Sequence, residues 1–182
     1  MNVRNAMWAI AALAITPNIA SAASTINFNG EITSQTCSAV VNGVAEPTVL
    51  LNSVPVGALN GNAGSVAGET TFSLRLTGCV APAENDQTFA VIFQAINPTT
   101  AAGNLVNTAT GGARGVALQI LDRPGGTRLN LAGNAVVTAG TISLPSGQTA
   151  ASADYAVRYV AEEPTVTVGP VLSSVTYTVR YE

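Results

Sequence analysis

At 182 residues the chain suits one ordinary domain, and a composition of 47% hydrophobic and 9% charged residues is far from that of a disordered segment. A net charge of −3 provides no basic field for a phosphate backbone, which excludes nucleic acid as a partner. There is no histidine and all seven basic residues are arginine. Histidine-based triads, the usual zinc sites, the Walker-A lysine and any Schiff-base lysine are therefore ruled out, so the sequence predicts no enzyme and no cofactor.

Residues 1–22 read as a secretory signal peptide. Arg4 supplies the positive start, residues 7–15 form a nine-residue apolar run, and Ala20-Ser21-Ala22 supplies small residues for cleavage. Nine apolar residues fall short of the ~20 needed to span a bilayer. Export places Cys37 and Cys79 in an oxidising compartment, where a single disulfide is the expected state, with two buried free thiols as the alternative.

In the mature chain, Ser24, Ile26, Phe28, Gly30 and Ile32 share one face of an extended segment, and Thr25, Asn27, Asn29 and Glu31 share the other. A glycine on such an apolar face marks a bulge or a close approach by another group, although the segment also reads as an ordinary first strand. Residues 54–68 are a Gly/Asn/Ala-rich loop, and residues 71–77 alternate Phe72, Leu74 and Leu76 with polar neighbours before reaching Cys79. Residues 89–96 are apolar on both faces, as in a central strand. After a second loop at 98–115, residues 116–121 are expected to alternate, and Asp122-Arg123-Pro124-Gly125-Gly126 to turn into 128–131. Residues 152–161 set Tyr155, Val157 and Tyr159 on one side, and the adjacent acids Glu162 and Glu163 read as a solvated loop. The last strand sets Val175, Tyr177, Val179 and Tyr181 on one face and Thr176, Thr178 and Arg180 on the other. Strands punctuated by turns, with no helical period, predict an all-β sandwich of immunoglobulin-like size.

Several runs carry a resemblance. Phe28-Asn29-Gly30-Glu31-Ile32 followed by Cys37, Leu76-Thr77-Gly78-Cys79, residues 116–123 (VALQILDR), Tyr155-Ala156-Val157-Arg158-Tyr159 and the terminal Thr176-Tyr177-Thr178-Val179-Arg180-Tyr181-Glu182 together resemble pilins of the chaperone–usher pathway, type 1 fimbrial major subunits in particular. A tyrosine next to last, Tyr181, and a glycine fourteenth from the end, Gly169, add to the likeness. The resemblance implies an incomplete Ig-like β-sandwich completed by a donor strand from a neighbouring subunit. Residues 1–22 would be the signal peptide, 23–35 the donor-strand extension and 36–182 the sandwich domain. Ser24, Ile26, Phe28, Gly30 and Ile32 would insert into a neighbour. Gly169, Val175, Tyr177, Val179, Tyr181 and Glu182 would form the acceptor groove and its chaperone-recognition end.

The partners so implied are identical or related pilin subunits in a head-to-tail polymer, a periplasmic chaperone and an outer-membrane usher. The chain would be exported through the periplasm to an extracellular fimbrium, a structural subunit supporting cell adhesion. A minor or adaptor pilin is the nearest alternative. A tip adhesin would bring a further receptor-binding domain and lack the extension. From another class, a monomeric secreted carbohydrate-binding β-sandwich would need a cluster of exposed aromatics, which 1 Trp, 4 Tyr and 4 Phe do not evidently supply.

Overall fold

The computed structural model describes residues 37–45 and 47–182. The expected signal peptide, and the donor-strand residues Ser24, Ile26, Phe28, Gly30 and Ile32, lie outside the described residues.

Eight strands follow one another: β1 (Ser38–Val41), β2 (Val66–Thr77), β3 (Gln87–Ala95), β4 (Leu105–Val106), β5 (Val116–Leu121), β6 (Val136–Leu144), β7 (Ala151–Ala161) and β8 (Val175–Tyr181), with two single-turn 3-10 helices at Val56–Ala58 and Ala132–Asn134. They form a five-stranded sheet ordered β1-β2-β7-β5-β4 and a three-stranded sheet ordered β6-β3-β8. Every ladder is antiparallel. The molecule is an all-β sandwich, as its alternating strands predict.

The core lies where the inward faces of the two sheets meet. Leu74 and Leu76 of β2, Val91 and Phe93 of β3, Ile142 and Leu144 of β6 and Tyr155 of β7 are at most 1% exposed. Phe72, Phe93 and Tyr155 form an aromatic centre with ring separations of 5.3 to 6.3 Å, edge-on between Phe93 and the other two. Such geometry places the positive ring edge on the negative ring face and adds about 0.5–1.5 kcal/mol per pair beyond burial. β3 is central in the smaller sheet and buries both faces along most of its length, which accounts for its near-continuous apolar run.

Cys37 and Cys79 are joined in a disulfide, with Cα atoms 4.1 Å apart, beside the pairing of Ser38 with Thr77. The turn at 122–127 closes as its sequence predicts: the Asp122 and Gly126 amides donate to Thr127 O and Arg123 O, and the Thr127 amide donates to Asp122 Oδ1 at 2.8 Å.

Three expectations need correction. β5 does not alternate, because all six of its residues are buried. On its outer face Gln119 bonds to Asn104 of the 98–106 segment, and that segment contributes the short strand β4, paired with the edge of β5 through Leu105 and Val106. The loop expected over 54–68 ends early, since β2 begins at Val66 and carries a bulge at Gly68 and Glu69 opposite Arg158. Glu162 is not simply solvated: its Oε1 accepts hydrogen bonds from Thr100 Oγ1 at 3.1 Å and Asn104 Nδ2 at 2.7 Å.

Candidate functional site

The site grows from the way β8 ends the smaller sheet. β8 is hydrogen-bonded along one side to β3, from Ala95–Val175 to Phe89–Tyr181, and among the described residues nothing pairs with its other side. Unpaired edge amides and carbonyls are a ready template for another strand.

The alternation predicted for this segment is present and extends beyond it. Val171, Ser173, Val175, Tyr177, Val179 and Tyr181 are half-buried, while the residues between them are exposed. The apolar members of this row pack against the main core. Tyr181 meets Phe89 edge-on at 5.7 Å, and Thr176 Oγ1 fixes the exposed face by donating to Gln94 O at 2.9 Å. Ser173 Oγ is buried and finds no hydrogen-bond partner among the described residues.

β1 is the facing edge, the outermost strand of the larger sheet. Tyr177 OH spans the two edges and donates to Ala39 O at 3.2 Å. Val49 and Leu51, on the extended stretch after β1, are also half-buried against the core. The β1/β8 side of the sandwich is thus lined by apolar side chains that neither sheet covers completely. At the end of β8, Glu182 is held twice by the start of β3: its amide donates to Thr88 O at 3.0 Å and its main-chain oxygen accepts from Gln87 Nε2 at 2.6 Å.

The structure therefore brings Val175, Tyr177, Val179, Tyr181 and Glu182 into one edge. Gly169 lies outside that row. A Cβ there would sit 2.5 Å from the Ala113 nitrogen and 2.8 Å from the Gly112 carbonyl carbon, so the backbone of 112–113 requires glycine at this position.

One polar constellation escaped the sequence reading. On the outer face of the larger sheet, Gln119 Oε1 accepts from Arg158 Nε at 2.9 Å and Nη2 at 2.7 Å, and Gln119 Nε2 donates to Asn104 Oδ1 at 3.1 Å. Asn104 continues to Glu162, and Arg158 Nη1 lies 3.9 Å from Glu69 Oε2. Its only trace in the sequence is a glutamine inside an otherwise apolar strand. The network ties the 98–106 segment to β5, β7 and β2, and its donors and acceptors are mutually occupied. Among the described residues, no group of three or more His, Cys, Asp or Glu could hold a metal.

A sandwich with an apolar-lined edge left open among its described residues belongs to the class of folds that can accept a further strand. Comparison with known proteins gives the family. The Fimbrial protein family pattern matches residues 26–182. The chain is 32% identical over 163 residues to the F17 fimbrial protein of Escherichia coli, covering 86% of each, and 34% identical over 179 residues to the major fimbrial subunit SMF-1 of Stenotrophomonas maltophilia, covering 93% of this chain and 99% of that one. The crystal structure of a Burkholderia pseudomallei antigen and type I fimbria protein superposes with a TM-score of 0.54 over 81% of this chain and 100% of that one, at 24% identity, a likeness of fold. The chain belongs to the fimbrial protein family: it is a structural subunit of a surface fimbria, in a family whose role is assembly rather than catalysis.

Proposed function

We propose that the subunit polymerises by donor-strand exchange, with residues 23–35 of one copy filling the β1/β8 opening of another. The observation that carries this reading is the half-buried row from Val171 to Tyr181 beside an edge that no described residue pairs. β-Strand addition of this kind combines a main-chain ladder with pockets for alternate side chains. Ser24, Ile26, Phe28, Gly30 and Ile32 have the required spacing, and the ten residues 23–32 span about 33 Å when extended. Burying Ile26, Phe28 and Ile32 stabilises the joint by about 1.5–3 kcal/mol each before ordering costs. Before assembly the same edge, exposed and apolar, requires a temporary cover. A periplasmic chaperone recognising Tyr177, Val179, Tyr181 and the Glu182 end supplies it, and an outer-membrane usher mediates the exchange that places the subunit in the extracellular fimbrium.

Gly30 provides the test. Gly30→Leu adds a side chain to the apolar face of the donor and leaves that subunit's own edge unchanged. The variant is expected as a soluble chaperone complex and absent from surface fibres, whereas Tyr177→Asp loses chaperone capture as well. Normal fibres built from Gly30→Leu subunits alone would overturn the assignment of 23–35 as donor.

A further inference from the structure

The two ends of the sandwich differ. At one lie the Cys37–Cys79 disulfide and the close of β8; there the Cys79 amide donates to Thr149 O, and the Gly147 amide to Pro82 O. This disulfide pole exposes Val80, at 46%. At the other, where β8 begins, residues 165–172 form a strap clasped to the 107–114 segment. The Thr108 amide donates to Leu172 O, the Leu172 amide to Asn107 Oδ1, the Ala113 amide to Pro170 O and the Thr167 amide to Arg114 O. The clasp holds Val168, 82% exposed, and Leu172, 58% exposed, on a fixed backbone with the exposed Pro170 between them.

We propose that this apolar strap is a second contact between subunits, packing against the disulfide pole of the copy that donates its strand. The inference rests on the donor-strand reading and adds polarity and chain length to it. All ladders among the described residues are antiparallel. A strand added antiparallel to β8 enters beside Tyr181 and leaves beside Val175, at the strap pole. Only residues 33–36 separate Ile32 from Cys37, and the five Cα–Cα steps between them reach at most about 18 Å. The donating subunit's disulfide pole, with Val80 and the 82–86 and 145–149 loops, is therefore drawn against the acceptor's strap. A parallel strand would leave beside Tyr181 instead and join disulfide pole to disulfide pole. Every subunit would then need that one pole for both of its neighbours. Opposite poles give the heterologous contact that an open filament requires, and they bring exposed apolar side chains together on both sides.

Photo-crosslinking in isolated fibres tests the contact. A benzophenone side chain replacing Leu172, or Val168 in a second preparation, is expected to yield a ladder of joined subunits, with the dominant joined peptide of the second copy drawn from 79–86 or 145–149. Joining to another copy's 107–114 or 165–172, or loss of all intersubunit joining from both probes, overturns the proposal. A probe at Thr178, on the outward face of β8, separates this from the reading beneath it. Joining of Thr178 to residues 23–32 sustains the donor strand whatever the strap probes report. Its absence from formed fibres overturns both.

Discussion

Replacing Gln119 with leucine probes how much the outer face of the larger sheet depends on one buried amide. Gln119 is 5% exposed and Asn104 is 3% exposed. Leucine fills a similar volume but removes two bonds from the Arg158 guanidinium and one to Asn104. Arg158 keeps only its 3.9 Å approach to Glu69, and Asn104 Oδ1 loses its donor. Losing a hydrogen bond to a charged group is worth about 1.5–3 kcal/mol, and a buried unsatisfied acceptor about 1–3 kcal/mol. The Arg158 side chain is 24% exposed, so water recovers part of the first loss. The expected destabilisation is about 3 kcal/mol, which for a chain of this size lowers Tm by about 6–12 °C. Thermal unfolding followed by circular dichroism, with the urea midpoint as a second measure, reads it directly. Gln119→Glu retains an acceptor for Arg158 and is expected to cost less than half as much. A Gln119→Leu protein within about 1 kcal/mol of the parent, or a glutamate variant as unstable as the leucine one, refutes the account.

Burial pushes the Tyr155 phenol up to about 12 from its ordinary 10. The unfolded chain therefore ionises first, so this group's contribution to stability is unchanged below about pH 9 and is lost between pH 10 and 12, by about 3 kcal/mol; a phenolate absorbance titration of the Tyr155→Phe variant beside the parent, with unfolding at each pH, checks both the group and the sign. Reducing Cys37–Cys79, whose sequence separation is 42, removes about 4 kcal/mol in the chain-entropy account, measured as a drop in urea midpoint with added reductant. Gly169→Ala forces the 165–172 strap away from the backbone of Gly112 and Ala113 and is expected to cost about 1–3 kcal/mol, read as a lower urea midpoint.

How far each element could be read from the sequence followed from how many of its faces are covered. β8 was legible because one face meets the core and the other meets solvent, so its alternation survives intact. β5 was not, because both of its faces are buried and the polar Gln119 on its outer face is satisfied by Arg158 and Asn104 rather than by water. β6 was missed for a different reason. Its inward residues are Val137 and Ala139, then Ile142 and Leu144, since a bulge opposite Val91 moves the pattern from odd to even positions. β1 is four residues long and too short to show a period. At the site, the alternating half-buried row of β8 was readable residue by residue. Its extension back through Ser173 to Val171 was not, because Ser173 breaks the apolar run.

The pairing of β3 with β8 also sets an order of events. Phe89 finds Tyr181, and Leu76 finds Ala151, across long stretches of intervening chain. Closing loops of that length must precede any return from the contacts they bring, which makes such topologies slow to fold. During synthesis and export, β3 emerges well before β8 and remains single-sided until the last residues of the sheet arrive. For an interval the chain exposes the unpaired edge of β3 with no β8 to cover it, so the window for misassembly is set by contact order as much as by the exposed area of the finished edge.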